Sequence, residues 1–243
     1  MRIDKLHTID STNDYLKRIS KEENAEEDIV VWALEQTAGR GQMGTQWQTE
    51  SGKNLTFSVF RKVKRITINE QFYALMAASL AVKDVFSKLL IKNVRVKWPN
   101  DILTDNDKIC GILIESVIKG GQLDAMILGV GLNVNQTQWN NVPRATSIKS
   151  RTGIHFELEE ILTLLLKRFH HYVDLLLKGE FNTIKNDYEA HLFKKDKPAT
   201  FLSAGGRQFV GIIKGVSESG KLLLQEENDI VNEYDLKELQ LLY

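Results

Sequence analysis

Two long segments with helical periodicity enclose a run of strand-like segments, and this order restricts the possible folds of the chain. Residues 69–90 and 157–178 each repeat apolar side chains three or four positions apart, which predicts helices with one buried face. Between them, residues 94–98, 109–117 and 123–134 follow as strands, separated by turns at 105–107 and 120–121. The sequence therefore predicts an α+β fold with a mixed sheet flanked by helices.

Further elements are predicted toward both ends of the chain. Residues 2–9 alternate like a strand, a helix begins near Ser11, and strands follow at residues 29–36 and 55–60. After a shorter helix at 182–192, short strands alternate with turn-rich stretches, a pattern typical of a small β-barrel. We expect a main domain over residues 1–195 and a small C-terminal β-barrel over residues 196–243.

Composition excludes several classes of protein. Of the 243 residues 42% are hydrophobic, which is enough for a sizeable core, but no apolar run is long enough for a membrane span or a signal peptide. We therefore expect a cytoplasmic protein with no membrane partner. The single cysteine, Cys110, predicts neither an internal disulfide nor a zinc site. Lys plus Arg and Asp plus Glu number 32 each, which argues against binding nucleic acid.

A glycine-rich loop spans residues 37–53. Its glycines Gly39, Gly41 and Gly44 have the spacing of a dinucleotide-binding loop, but a strand follows where that motif requires a helix. We favour a flexible lid whose backbone approaches an anionic ligand, with Arg40 supplying a positive charge. The alternative is an ordinary surface loop, although loops of this length are more often functional.

Three other segments have the composition of a ligand site, and each is ambiguous alone. In VKWPND (96–101), Asn100 and Asp101 either cap the local backbone or orient ribose, triphosphate and a Mg²⁺ ion. In KICGILIE (108–115), a lysine enters a strand that a glycine interrupts. In GVGLNVN (129–135), a glycine-bearing strand ends in two amides that either cap a turn or contact phosphate or metal.

Taken in order, the GRG loop, KWPND, KICGILIE and GVGLNVN resemble the biotin protein ligase family along nearly its whole catalytic domain. The opening DSTN (10–13) and the Glu35-Gln36 pair also match this family. The resemblance implies a class II synthetase-like catalytic domain over residues 1–195, followed by the family's usual C-terminal domain. It also implies an activity: ATP activates biotin as biotinyl-AMP, and the biotinyl group then passes to a lysine of a biotin carboxyl carrier domain.

Site residues follow from the same resemblance. Those implied for biotin are Ser11, Thr12, Asn13, Gln36, Gly39, Arg40, Gly41, Lys108 and Gly111. Those implied for the nucleotide are Trp47, Lys97, Asn100, Asp101 and Asn133, and of these Asn100, Asp101 and Asn133 would also hold Mg²⁺. Those implied for catalysis are Arg40, Lys97, Asp101 and Lys108. Trp47 would stack on adenine, and its alternative role is core packing.

Two departures from the family pattern bear on function. Many relatives continue GRG with further arginines, whereas this chain has Gln42, Met43 and Thr45, which predicts a weaker hold on the adenylate. Regulatory relatives carry a helix-turn-helix domain before the catalytic domain, but here DSTN already begins at Asp10. We therefore expect the form without that domain and no operator binding, while a homodimer through exposed sheet edges stays open.

Two other functions compete with this interpretation. Lipoate and octanoate ligases share the fold and also acylate carrier lysines, but KWPND and the GRG loop favour biotin. A non-catalytic scaffold is conceivable because the loop arginines are missing. The retained Arg40, Lys97 and Lys108 favour an active enzyme.

Overall fold

The computed structural model describes residues 1–22, 25–63, 66–120, 122–139 and 142–243. The strands of a first sheet are β1 (Arg2–Ile9), β2 (Ile29–Gln36), β3 (Leu55–Lys62), β4 (Val94–Lys97), β5 (Asp101–Thr104), β6 (Asp107–Lys119) and β7 (Gln122–Leu132). The α-helices of the described residues are α1 (Thr12–Glu22), α2 (Gln71–Lys88), α3 (Ile148–Thr152), α4 (Leu158–Leu177) and α5 (Phe181–Ala190). The strands of a second sheet are β8 (Pro198–Ser203), β9 (Gln208–Val216), β10 (Leu222–Gln225), β11 (Val231–Tyr234) and β12 (Leu239–Leu242).

The first sheet is mixed, as predicted. Its strand order is β1-β2-β3-β7-β6-β5-β4, in which β1 and β2 are parallel and every other neighbouring pair is antiparallel. The antiparallel register of β6 and β7 sets Gly111 opposite Gly131. Two of the glycine-bearing motifs therefore lie side by side near the middle of the sheet.

Helices cover both faces of this sheet. On one face α2 and α4 bury a large core that includes Phe57, Met76 and Leu165. On the other face α1 buries a smaller cluster that includes Leu16 and Phe60. Because strand side chains alternate between faces, a strand covered on both sides has a continuous apolar sequence, as in IVVWA of β2.

Most predicted elements are confirmed. The two long helices are α2 and α4, and the shorter predicted helix is α5. Two elements were not predicted, β5 and α3, which have only 4 and 5 residues and are too short to show a period. The turn predicted at 120–121 includes Gly121, which lies outside the described residues. Among the described helices, none combines the length and apolarity needed to cross a membrane.

The small C-terminal β domain is also confirmed, with one refinement. Its sheet has the antiparallel order β11-β10-β9-β8-β12. Within the described residues β11 and β12 each pair with one neighbour only, so the sheet is open rather than closed into a barrel. The division of the chain at residue 195 stays a prediction.

Direct hydrogen bonds hold the second sheet against the first part of the chain. The indole Nε1 of Trp98 donates to the carbonyl of Gly220 over 2.9 Å. The backbone N–H of Val216 donates to Glu189 Oε1, also over 2.9 Å. These contacts place the end of β9 and the β9–β10 turn beside α5 and the KWPND segment.

The KWPND segment forms the tight turn between β4 and β5, with a cis peptide bond between Trp98 and Pro99. The fully buried Tyr188 donates its hydroxyl to the Pro99 carbonyl over 3.0 Å. On the other side, the amide nitrogen of Asn100 donates to the carbonyl of Ile112 on β6 over 2.7 Å. The turn is therefore held between α5 and β6.

Replacing Tyr188 by phenylalanine tests how much the hydrogen bond from Tyr188 to this turn contributes to the stability of the fold. The Tyr188→Phe variant leaves the Pro99 carbonyl without its partner, and we expect the free energy of unfolding to fall by about 1 to 3 kcal/mol. Urea denaturation measures this change. Tyr15→Phe is the matched control, because the Tyr15 hydroxyl makes no hydrogen bond within the described residues. Equal unfolding midpoints for the two variants would contradict the account.

Candidate functional site

A cleft of about 730 Å³ opens between the first sheet and the second sheet. Most of the predicted site residues line it, namely Ser11, Thr12, Asn13, Gln36, Arg40, Gly41, Trp47, Lys97, Asn100, Asp101, Lys108 and Gly111. Two predicted site residues, Gly39 and Asn133, lie outside its lining. The second sheet contributes the lining residues Phe201, Leu202, Ser203, Ile213, Leu222, Leu239, Gln240 and Leu241, and the segments between its strands contribute Ala204, Leu236 and Lys237.

One end of the cleft is polar, and a set of fixed hydrogen bonds builds it. Helix α1 begins here, and Gln36 Oε1 accepts from Thr12 N over 2.8 Å and from Thr12 Oγ1 over 3.0 Å. Behind them, the hydroxyl of Ser58 lies 2.7 Å from Thr12 Oγ1 and 2.6 Å from Asn13 Oδ1. Each of these groups therefore has a set orientation, which suits recognition of a polar ligand.

Ser58 is not among the site residues predicted from the sequence. It is fully buried on β3, within the apolar run LTFSVF. A hydroxyl in a largely apolar strand was the available signal, because a buried hydroxyl needs a hydrogen-bond partner.

Glu115, the last residue of KICGILIE, was also missed. Its carboxylate accepts hydrogen bonds from Asn13 Nδ2 over 2.7 Å, from Lys17 Nζ over 2.6 Å and from Arg40 Nη2 over 3.1 Å. Burial of the carboxylate acts to raise its pKa. The hydrogen bonds from Lys17 and Asn13 and the charges of Lys17 and Arg40 outweigh burial, so the pKa of Glu115 lies below its ordinary value.

In the middle of the cleft a single carboxylate lies between two ammonium groups. Asp101 Oδ1 is 2.6 Å from Lys108 Nζ, and its Oδ2 is 3.7 Å from Lys97 Nζ. The group of three carries a net positive charge at neutral pH. This remaining positive charge makes the group suited to bind an anionic ligand.

Trp47 lies directly on the paired glycines of β6 and β7. A Cβ atom added at Gly131 would be 2.3 Å from Trp47 Cε2, and one added at Gly111 would be 3.2 Å from Trp47 Cζ3. Lys108 Nζ is 5.4 Å from the centre of the indole ring. Trp47 Nε1 is buried and has no hydrogen-bond partner in the described part of the chain. The glycines thus provide the flat surface on which the indole packs, and stacking on adenine stays a prediction.

The glycine-rich loop folds as a small hairpin. Arg40 and Gln46 form an antiparallel bridge, Gly41 N donates to Thr45 O over 2.7 Å, and Trp47 N donates to Gly39 O over 3.0 Å. Gly39 must be a glycine here, since an added Cβ would lie 2.5 Å from the Trp47 carbonyl oxygen. No α-helix begins in this loop, which agrees with the rejection of a dinucleotide-binding turn.

The predicted metal ligands are only partly assembled. Asp101 is the only carboxylate residue among the described residues that line the cleft, and Asn100 uses its amide nitrogen on Ile112. Asn133 donates its amide nitrogen to the Thr146 carbonyl over 3.0 Å, and its buried Oδ1 has no partner in the described residues. The described residues contain no group of three His, Cys, Asp or Glu side chains that could hold a metal.

A substitution at Gly131 tests the position of Trp47. In Gly131→Ala the new methyl group cannot coexist with the indole, so we expect Trp47 to leave the strand surface and become more accessible to acrylamide. The contribution of Trp47 to fluorescence quenching is obtained by subtracting the Trp47→Phe variant in each background. Gly205→Ala is the control, because the nearest atom to its added Cβ is 3.9 Å away. Unchanged quenching in Gly131→Ala would show that the indole packs elsewhere.

Comparison with known proteins identifies the family. The sequence model of the biotin/lipoate A/B protein ligase family matches residues 6–133, and that of the biotin protein ligase C terminal domain matches residues 196–234. The bifunctional ligase/repressor BirA of Escherichia coli is 27% identical over 93% of this chain and 70% of that protein. The biotin–(acetyl-CoA-carboxylase) ligase of Paracoccus denitrificans is 31% identical over 80% of this chain and 83% of that protein.

Solved structures agree with the sequence comparison. The biotin protein ligase from Aquifex aeolicus, solved in complex with biotin and ATP, superposes with a TM-score of 0.82 at 26% identity. The superposition covers 99% of this chain and 98% of that chain, and so includes both sheets. The chain therefore belongs to the biotin/lipoate A/B protein ligase family, among its biotin protein ligases.

Proposed function

We propose that this protein attaches biotin to a lysine of a biotin carboxyl carrier domain through a biotinyl-AMP intermediate. The observation that carries this proposal is the position of Lys108. Its ammonium group lies at a junction in the cleft, 2.6 Å from Asp101, which also faces Lys97, and beside Gly111, where an added Cβ would be 3.4 Å away. A cation at that junction is suited to bridge a carboxylate on one side and a phosphate on the other.

In the first step a carboxylate oxygen of biotin attacks the α-phosphorus of ATP, and pyrophosphate leaves. Two anions must meet for this attack, and their repulsion at 4 Å is about 4 kcal/mol at an effective dielectric constant of about 20. Arg40, Lys97 and Lys108 all line the cleft and carry the charges that offset this repulsion. The enzyme itself forms no covalent bond to either substrate.

Biotin would bind with its ureido ring at the polar end of the cleft. The resemblance assigns this contact to Ser11, Thr12, Asn13 and Gln36, and the ring offers both N–H donors and a carbonyl acceptor. The internal hydrogen bonds among these side chains support the assignment, since they hold the groups oriented before a ligand arrives. Gly41 and Gly111 line the same cleft and let the ligand approach the backbone, and Gly39 shapes the loop above it.

ATP would occupy the part of the cleft next to the second sheet. Asn100 and Asp101 are proposed to orient the ribose and phosphates, with Trp47 contributing its ring to the adenine. Asn133 stays a proposed ligand whose side chain lies outside the cleft lining. Its buried Oδ1, which has no hydrogen-bond partner within the described residues, supports this assignment.

The donor set fits a Mg²⁺ ion that arrives with the nucleotide. Mg²⁺ is commonly bound by one or two carboxylates together with substrate phosphates and waters, rather than by a full protein cage. Asp101, with the amide oxygen of Asn100, offers such a partial set. When bound, the ion would neutralise charge on the phosphates.

In the second step the lysine amine of the carrier attacks the carbonyl carbon of the adenylate, and AMP leaves. The amine must lose a proton, and Asp101 is proposed to assist because it is the only carboxylate residue among the described residues that line the cleft. Water must be kept from the mixed anhydride until the carrier arrives. The loop over residues 37–53 is proposed to close over it, and protection of this loop from protease by biotin would support that role.

Lipoate or octanoate attachment is the rival function, since the matched family includes those ligases. The polar end of the cleft argues against it. An alkyl chain or dithiolane ring would offer no acceptor to the amide nitrogen of Gln36, which donates to no acceptor in the described residues, whereas the ureido carbonyl of biotin would.

Transfer to a carrier tests the proposed function. We expect labelled biotin to enter a purified biotin carboxyl carrier domain in the presence of ATP and Mg²⁺. Replacement of the carrier's acceptor lysine by arginine should abolish incorporation. Without any carrier, acid-quenched reactions should contain biotinyl-AMP. Incorporation of lipoate or octanoate in place of biotin would contradict the proposal.

The role of Lys108 is tested by Lys108→Met. Loss of charge-assisted contacts to both substrates should lower kcat/KM for biotin in adenylate formation by about a hundredfold or more. Lys62→Met is the matched control, because Lys62 also pairs with a carboxylate on the same sheet, Asp124 at 2.9 Å, but lies outside the cleft lining. Comparable losses in both variants would refute a specific role for Lys108.

A further inference from the structure

Five side chains meet under the glycine-rich loop and form what we call the Glu115 cluster: Asn13, Asp14, Lys17, Arg40 and Glu115. Glu115 accepts from three of the other members, Asn13, Lys17 and Arg40, and it lies outside the cleft lining. Asn13 and Arg40 belong to the lining. Glu115 can therefore act on a ligand only through these two neighbours.

Arg40 is held by one end of its guanidinium group. Its Nη2 atom is 2.7 Å from Asp14 Oδ1 and lies 3.2 and 3.1 Å from the two oxygens of Glu115. Its Nε and Nη1 atoms donate to no protein acceptor in the part of the chain that the structure describes. An arginine anchored in this way keeps donors available for an anion while its position is fixed.

Asn13 is fixed by the same carboxylate. Its amide nitrogen donates to Glu115 Oε2 over 2.7 Å, and its Oδ1 lies 2.6 Å from the Ser58 hydroxyl. The side chain packs so closely on Gly129 that an added Cβ there would be 2.4 Å from Oδ1. Asn13 is 4% exposed, so it has little room to turn once Glu115 and Ser58 hold both ends of its amide.

We propose that Glu115 is a positioning residue that sets the loop cation Arg40 and the pocket residue Asn13 from a single carboxylate. This inference rests on the proposed function. Asn13 requires only an acceptor oxygen from Glu115, whereas Arg40 and Lys17 require its negative charge. The two duties of Glu115 can therefore be separated by a change that removes the charge and keeps an acceptor.

Glu115→Gln makes that separation. The amide oxygen can still accept from Asn13, so the affinity for biotin, measured by calorimetry without ATP, should change little. Arg40 loses a charged anchor, so kcat of biotin-dependent ATP–pyrophosphate exchange should fall by about tenfold to a hundredfold. A variant with unchanged kcat, or with kcat and biotin affinity reduced in parallel, would overturn the proposal.

A second readout does not depend on activity. Trypsin cleaves after arginine, and a clamped Arg40 is a poor substrate, so ligand-free Glu115→Gln should be cut between Arg40 and Gly41 several-fold faster than the wild type. Equal cleavage rates would show that Glu115 does not restrain Arg40 and would overturn the proposal. If the wild type catalyses no biotin-dependent exchange, the proposed function fails. The cleavage comparison still tests, on its own, whether Glu115 restrains Arg40.

Two further variants guard against a general loss of structure. Asp14→Asn removes the other, more exposed carboxylate on Arg40 and should lower kcat less than Glu115→Gln, with unchanged biotin affinity. Asp124→Asn is the matched control, since Asp124 pairs with Lys62 on the same sheet away from the cleft. Its exchange kinetics and its cleavage after Arg40 should equal those of the wild type. A loss of kcat in Asp124→Asn as large as that in Glu115→Gln would overturn the proposal.

Discussion

The antiparallel pairing of β6 with β7 is the constraint on which the site depends. It sets Gly111 opposite Gly131 and so creates a surface without side chains in the middle of a densely packed sheet. A shift of one residue in this register would turn every side chain of the strand to the opposite face. Helices that cover both faces fix the register, because they require apolar side chains on each side.

Charged side chains next to this glycine surface determine what the cleft can bind. Lys97 and Lys108 share one carboxylate, Asp101, while Arg40 is anchored outside the cleft by Asp14 and Glu115. The cations are thus held in place without being fully neutralised. Such an arrangement suits a reaction between two anions, since the protein contributes preorganised positive charge and no covalent chemistry. The neutral Gln42, Met43 and Thr45 of the loop also line the cleft, so Arg40 is the only charged residue of this loop among the described residues that line it.

The sequence predicted the elements with a strong period and the residues within recognisable motifs. The long helices α2 and α4 and the convergence of Thr12, Gln36 and Lys108 on one cleft follow from that information. Ser58 and Glu115 could not be predicted in the same way. Their partners are 45 and 102 positions away along the chain, so no local sequence pattern shows the contact. The side-chain direction of Asn133 was likewise invisible, because it depends on the loop that brings Thr146 beside it.

ATP–pyrophosphate exchange measures the proposed activation of biotin by ATP separately from the transfer to the carrier. The purified protein would be given ATP, Mg²⁺ and labelled pyrophosphate, with biotin, lipoate or octanoate added in turn. We predict exchange of label into ATP with biotin only. Exchange driven by lipoate or octanoate in place of biotin, or no exchange with any of the three acids, would contradict the account.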